Sequence, residues 1–154
     1  MKRILLLLST TRKSPDSIAQ ALELAKKDNA ELILVFILDD AFTQSIVNRI
    51  SEDGWVGGKT SDTLQNTILK EYFAQGQEKL REVELMADSY GVPHRSIYAR
   101  GEFTGVALGI IQKEQPDLLI VTRRKRSDLS RFVFGSAVAE LQAKAPCEIM
   151  VIDE

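Results

Sequence analysis

The residues best suited to chemistry lie in one basic segment. Residues 122–131 (TRRKRSDLSR) hold five Lys or Arg and a single Asp, whereas the whole chain has 20 Lys and Arg against 22 Asp and Glu. The segment leads into Gly135 and Ser136, where periodicity predicts the start of a helix. Helix N-termini bind anions, and arginine favours phosphate. We therefore expect a phosphate or other anion to bind where Arg124 and Lys125 approach Gly135 and Ser136. The alternative is a basic loop that pairs with acids of this chain or of a neighbour.

Other kinds of site are disfavoured. The chain has one cysteine, Cys147, and one histidine, His94, which excludes an intrachain disulfide framework, a Cys-rich zinc site and a paired-histidine metal site. The segment 54–60 (GWVGGKT) falls short of a phosphate-binding P-loop, because Asp53 stands where its first glycine is required. No Ser-His-Asp constellation or positioned general base is evident, so an enzyme ranks below a binding or regulatory protein. The net charge of −2 disfavours a general nucleic-acid binder.

The candidate site residues are positioned by strands and helices that alternate regularly along the chain. Apolar runs predict strands over residues 3–8, 32–38, 118–121 and 148–152, and weak alternation predicts a further strand over 95–99. Helix-period stripes lie between them. Ser14 precedes Pro15 and predicts an N-cap for the first helix. Fully apolar strands alternating with helices indicate an α/β fold, a doubly wound three-layer α/β/α sandwich around a parallel sheet. Ligands of such sheets bind at the carboxyl ends of the strands.

Two further patterns concern packing. The long connection over residues 39–62 has Phe42, Ile46, Val47 and Ile50 at helical spacing, which predicts a short amphipathic helix that either packs on the domain or covers a ligand or partner. Glycines at 101, 105 and 109 predict close approach of a helix to the sheet, and Gly101 a flexible turn beside a ligand.

The length of 154 residues predicts one domain over 1–154. The apolar run at residues 4–8 is shorter than a secretory h-region, and no run approaches the ~20 residues of a membrane span. We therefore expect a cytoplasmic protein with no membrane association, and the single thiol agrees.

The chain resembles a single-domain universal stress protein along nearly its whole length. The second strand ends in FILD, Gly101-Glu102 follows the third strand, and PDLLIV forms the fourth. The most specific part is GSAVAE at residues 135–140, followed by APCEIMV at residues 145–151. The resemblance implies a Rossmann-like, adenine nucleotide alpha hydrolase-like sheet in the order 3-2-1-4-5. It also implies a homodimer through the last strand, formed by Cys147, Glu148, Ile149, Met150, Val151 and Ile152.

In nucleotide-binding members of that family, the fourth strand is followed by Gly-x-x-Gly, nine residues and Gly-Ser or Gly-Thr. Here Thr122 and Lys125 replace the first two glycines, while the spacing to Gly135 and Ser136 is kept. Ser9 stands where those members carry an Asp at the end of the first strand. The resemblance thus implies a candidate nucleotide or anion site formed by Ser9, Thr10, Ile37, Gly101, Thr122, Arg124, Lys125, Gly135 and Ser136.

The substitutions leave two functions open. Thr122 resists the positive φ and close phosphate approach that glycine allows, and Lys125 places a side chain in the phosphate space. The first function is a dimeric stress-response or regulatory module, with an unidentified protein partner, that lacks the usual ATP mode and accepts a phosphate or other anion. The alternative is an ATP or AMP sensor whose basic loop replaces the glycine loop.

Overall fold

The computed structural model describes residues 1–12, 14–52, 61–123 and 136–154. The elements are β1 (Arg3–Ser9), α1 (Pro15–Asp28), β2 (Glu31–Asp39), α2 (Asp40–Glu52), α3 (Ser61–Tyr90), β3 (His94–Gly101), α4 (Phe103–Glu114), β4 (Leu118–Arg123), α5 (Ser136–Lys144) and β5 (Glu148–Asp153). The strands form one sheet in the order β3-β2-β1-β4-β5, and each pair is parallel. The predicted fold class and strand order are confirmed.

The two faces of the sheet carry separate cores because strand residues alternate between them. Ile4, Leu6 and Leu8 of β1 pack against α1 and α3, whereas Leu5 and Leu7 pack against α4 and α5. All five side chains are at most 2% exposed. Burial of each such side chain stabilises the fold by roughly 1.5–3 kcal/mol. The central strands β1 and β4 are therefore a rigid base for whatever lies at their carboxyl ends.

The start of α1 lies where the sequence predicts it, but its cap differs in chemistry. Ser14 is the N-cap residue and Pro15 follows in the first turn, but the Ser14 side chain makes no capping hydrogen bond. Its Oγ instead accepts a hydrogen bond of 2.9 Å from Thr122 Oγ1. The Ser14 hydroxyl thus bonds to β4 in place of a backbone amide of α1.

The helix predicted within residues 39–62 is confirmed as α2. The ring of Phe42 on α2 lies 5.5 Å from that of Tyr72 on α3, so α2 packs on the domain here. α3 begins at Ser61 and runs to Tyr90 as one helix. Its first turns already contribute to the core, because Ile68 is buried.

The glycine spacing on α4 was wrongly interpreted. Gly105 and Gly109 are exposed, and the core-facing residues of α4 are Phe103, Ala107 and Ile111. A Cβ at Gly109 would meet no atom of the described residues within 4 Å. A glycine that does permit close packing is Gly76 on α3, where a Cβ would lie 2.6 Å from Tyr98 Oη.

Tyr98 belongs to an aromatic cluster between β3 and α3. Its ring centroid lies 5.5 Å from that of Phe36 and 4.6 Å from that of Phe73. Its Oη is buried without a hydrogen-bond partner among the described residues. Burial raises the pKa of the Tyr98 hydroxyl.

An ion-pair network connects the edge strand β3 to its neighbours at the amino ends of the strands. Arg95 Nε donates to Glu31 Oε1 at 3.1 Å, and the same guanidinium bonds Glu114 at the end of α4. The hydrogen bond from Arg95 lowers the pKa of the Glu114 carboxyl. The pairs therefore connect β2, β3 and α4.

None of the described helices is both long and apolar enough to cross a membrane.

Candidate functional site

The ligand crevice expected of this fold lies between β1 and β4. The chain continues from β1 to β2 on one side of the sheet and from β4 to β5 on the other, so the strand order reverses between them. Ligands of open α/β sheets bind at this reversal, beyond the carboxyl ends of the strands. Pairing of β1 with β4 ends at Leu7 and Val121. Ser9 and Thr122 therefore follow the last paired residues on the two sides of the crevice.

The structure brings together five of the residues predicted for the site. Ser9 pairs with Ile37 at the ends of β1 and β2, and Gly101 closes β3 beside them. Thr10 follows directly, and its Oγ1 is buried without a hydrogen-bond partner in the described parts of the chain. Ile37 is fully buried and lies in the core on the α4 face, so its side chain is not exposed at this edge. The remaining predicted residues, Arg124, Lys125, Gly135 and the side chain of Ser136, lie outside the described residues.

Arg12, a residue the sequence did not single out, bridges the crevice. Residues 9–12 form a turn in which the Arg12 amide donates to the Ser9 carbonyl at 3.4 Å. The guanidinium then reaches both strands, because Nε donates to the Thr122 carbonyl at 3.1 Å and one terminal nitrogen to Ser9 Oγ at 3.3 Å. The same nitrogen donates to Thr11 Oγ1 at 3.2 Å. Arg12 is only 7% exposed, an unusual state for an arginine.

The start of α4 forms another wall of the site. Cζ of Arg12 lies over the ring of Phe103, 3.9 Å from its centroid, in a cation–π contact. The Glu102 carboxylate accepts hydrogen bonds from the amides of Thr104 at 3.0 Å and Gly105 at 2.7 Å. The amide donors that a helix N-terminus offers to an anion are therefore partly occupied by this chain's own carboxylate.

Gly101 is the turn that allows this arrangement. Its φ is +144°, a conformation that side chains rarely adopt, and a Cβ would lie 2.8 Å from Val106 Cγ2. The prediction that Gly101 forms a strand-to-helix turn is confirmed. The turn directs Glu102 onto the first amides of α4.

Thr122 turns its side chain away from the crevice, toward α1. Its Oγ1 shares a hydrogen bond of 2.5 Å with Ser17 Oγ and donates to Ser14 Oγ at 2.9 Å. All three residues are at most 3% exposed. Thr122 also continues the pairing of β4 with Ile152 of β5. Thr122 therefore has an extended strand conformation. Its side chain belongs to a buried hydroxyl cluster, formed by Ser14, Ser17 and Thr122.

The segment predicted for dimerisation is the outermost strand on one side. Met150 and Ile152 pack partly on the α1 face of the sheet, and Ile149 and Val151 on the opposite face, all half-buried. A shallow groove of about 500 Å³ lies between Met150, Ile152 and the outer surface of α1. Cys147 is only partly covered. Burial and the neighbouring Asp117 carboxylate raise the pKa of its thiol.

The single histidine has a structural contact. His94 Nε2 lies 2.7 Å from Asp88 Oδ1 at the end of α3. Within the described ranges, no group of three or more His, Cys, Asp or Glu could hold a metal ion.

The five-stranded parallel sheet with helices on both faces defines a Rossmann-like α/β domain. The family model for the universal stress protein family matches residues 1–153, and the chain belongs to this family. The family resemblance seen in the sequence is confirmed.

Relatives cover the chain almost completely. The universal stress protein MJ0531 of Methanocaldococcus jannaschii is 24% identical over 151 residues, which is 98% of this chain and 81% of the relative. The universal stress protein UspA from Lactobacillus plantarum has a similar structure, with a TM-score of 0.74 and 15% identity, covering 98% of this chain and 97% of that one. A universal stress protein family protein from Arabidopsis thaliana, solved with AMP bound, has a TM-score of 0.57 and 16% identity over 100% of this chain and 92% of its own.

Proposed function

We propose that this universal stress protein is a homodimeric regulatory module whose crevice accepts a phosphate or other anion and does not bind ATP in the family's usual mode. In this proposal, the dimer transmits the state of the crevice, with or without bound anion, to a protein partner. The observation that supports this most directly is the state of Thr122, which stands where nucleotide-binding members carry the first glycine of their phosphate loop.

Thr122 combines two features that oppose a phosphate loop. Its backbone remains in the β4–β5 ladder opposite Ile152, and its side chain is bonded to Ser14 and Ser17. A glycine here could adopt positive φ and let a phosphate approach the backbone, whereas a β-branched residue disfavours both. Loosening this position would also break buried hydroxyl hydrogen bonds, which is costly because buried donors and acceptors would lose their partners.

Ser9 supports the same conclusion on the other side of the crevice. It supplies a hydroxyl where nucleotide-binding members carry a carboxylate, and that hydroxyl accepts a hydrogen bond from Arg12. The acceptor that would bind a nucleotide at this position is therefore replaced by a weaker one that already has a donor.

The anion site itself rests on the sequence that follows β4. Arg124 and Lys125 precede Gly135 and Ser136, and α5 begins at Ser136. Amides of a helix N-terminus together with two cations suit a dianion, and each charge-assisted contact contributes about 1.5–3 kcal/mol. After the entropic cost of binding, the expected affinity is roughly micromolar to millimolar.

A thermal-shift comparison tests this site. Phosphate should raise the melting temperature of the wild-type protein more than chloride at equal ionic strength. Because phosphate also stabilises proteins non-specifically, the control is a variant with Arg124→Ala and Lys125→Ala, which should lose only the specific part. Identical responses of the two proteins to phosphate would mean that no anion site exists here.

A nucleotide sensor is the second candidate. It is supported by the retained nine-residue spacing between Lys125 and Gly135 and by the AMP bound to the Arabidopsis thaliana relative. Calorimetric titration with ATP, ADP and AMP, together with mass spectrometry of whatever co-purifies with the protein, separates the two functions. Tight binding of a nucleotide that phosphate does not displace would favour the sensor.

The homodimer is supported by β5. This strand is the last in the sheet order, and its side chains on both faces are only half-buried. An apolar edge strand readily pairs with another chain. The groove beside Met150 and Ile152 would be covered in such a dimer.

A further inference from the structure

We propose that Arg12 sets the ligand specificity of the crevice, because its guanidinium covers the ring of Phe103 and keeps a planar base out until the side chain is displaced. The inference deepens the proposed function, since it takes the crevice between β1 and β4 to be the binding site. It adds a residue that no motif of the chain indicated.

The position of the guanidinium is the first argument. It bonds Ser9 Oγ on the β1 side and the Thr122 carbonyl on the β4 side, so it spans the gap where the two strands stop pairing. Ligands of open α/β sheets enter at this gap. A ligand that reaches the same place must break these hydrogen bonds, including one to a backbone carbonyl that is buried.

The shape of the guanidinium is the second argument. It is flat and delocalised and stacks on aromatic faces, as a nucleobase does. Its Cζ lies 3.9 Å from the centroid of the Phe103 ring. Arg12 thus holds the position over Phe103 that a planar base would take by stacking. The side chain is 7% exposed, which shows that it is enclosed there and does not merely lie across the surface.

The consequence is selection by shape. A base is excluded from the Phe103 face while Arg12 is in place. A small inorganic anion has no planar base to stack on that face. The crevice should therefore discriminate against the base of a nucleotide and tolerate an inorganic anion.

Calorimetric titration with adenosine tests the inference, because adenosine carries the base without a phosphate. Stacking of a base on an aromatic ring changes affinity by roughly 5- to 150-fold. Arg12→Ala should bind adenosine tighter than wild type by a factor in this range. The matched control is Arg100→Ala, which removes a cation from the same edge of the sheet. The Arg100 side chain is 54% exposed and paired with Asp40, whereas Arg12 lies over the Phe103 ring, so removal of Arg100 should leave adenosine affinity at the wild-type value.

Three results would overturn the inference. They are equal adenosine affinity in wild type and Arg12→Ala, weaker affinity in Arg12→Ala, and an equal gain in Arg100→Ala. If Arg12→Ala does not fold, Arg12→Gln retains part of the stem and an amide donor toward Thr122 and should show the same direction of change. The outcome is separable from the anion site, since that site is judged by phosphate and the Arg124→Ala, Lys125→Ala variant alone.

Discussion

Replacing Thr122 with valine tests the buried hydroxyl cluster on which the altered crevice depends. Valine is close to threonine in shape, but a methyl group takes the place of Oγ1. That atom lies 2.5 Å from Ser17 Oγ and 2.9 Å from Ser14 Oγ. Its removal leaves two buried serine hydroxyls without this partner.

The structure gives the size of the effect. A buried hydroxyl left unsatisfied costs about 1–3 kcal/mol. Ser14 retains a long contact of 3.5 Å to the Arg12 carbonyl, whereas Ser17 loses its hydrogen bond entirely and is fully buried. We therefore expect Thr122→Val to lower the free energy of unfolding by about 1–3 kcal/mol, mostly through Ser17. For a domain of this size the melting temperature should fall by roughly 2–12 °C.

Urea unfolding followed by circular dichroism measures the change directly. A variant that combines Thr122→Val with Ser14→Ala and Ser17→Ala serves as the control. Replacing all members of a buried hydrogen-bonded group by apolar ones of similar shape is nearly neutral, so it should recover most of the loss. If Thr122→Val is as stable as wild type, or the combined variant is the least stable of all, the reasoning about the cluster is wrong.

Three other predictions concern separate parts of the molecule. Met150→Lys with Ile152→Lys should shift light scattering at micromolar concentration from twice the 17.2 kDa chain mass to the single mass without loss of helical signal, and a monomeric wild type would refute the dimer. Gly76→Ala should destabilise the fold by about 1–3 kcal/mol in denaturant unfolding, because the added Cβ meets the Tyr98 hydroxyl at 2.6 Å; a gain in stability would contradict this. The hydrogen bond from Arg95 lowers the pKa of Glu114 in the folded protein. The ion pair therefore stabilises the protein fully at pH values above the ordinary carboxyl pKa of about 4.3, and this stabilisation is lost as the pH falls from there through the lowered pKa of the folded state. Glu114→Gln should thus be less stable at pH 7 and show a shallower acid limb in a pH series of melting temperatures, and parallel curves would count against the ion pair.

The sheet could be predicted because its evidence is local. The unbroken apolar runs of β1, β2 and β4 correspond to strands that are buried on both faces, and the alternation of strands with helices indicates a parallel sheet. The full extent of α3 was not predicted, although Leu64 and Ile68 are spaced as on one helical face and Ile68 is buried.

The misread features depend on tertiary partners. Glycines four residues apart mark one face of α4, but the same helix holds Phe103, Ala107 and Ile111 at helical spacing, and these larger apolar side chains take the sheet-facing side. The Ser14 side chain had two candidate partners, a helix amide and the Thr122 hydroxyl, and only the fold brings the second within reach.

The sequence predicted the residues of the site that lie at strand ends but not those that depend on tertiary contacts. The resemblance placed Ser9 and Thr122 at the crevice, since strand ends follow from the order of elements. Arg12 has no sequence signature, because its burial depends on the turn after β1, the end of β4 and the Phe103 ring meeting in space. A cationic residue just after the first strand of a doubly wound sheet is the one signal that could have drawn attention to it.

The contacts of Thr122, Ser9 and Arg12 together predict that this crevice does not bind ATP in the family's usual mode. Calorimetric titration of the wild-type protein with ATP tests this prediction, beside a variant that carries Thr122→Gly, Lys125→Gly and Ser9→Asp together with Arg12→Ala. We predict no micromolar binding of ATP to the wild type and binding at least about tenfold tighter to the variant, a difference of roughly 1.4 kcal/mol. Micromolar affinity of the wild type for ATP, or a variant that binds no better, would contradict the account.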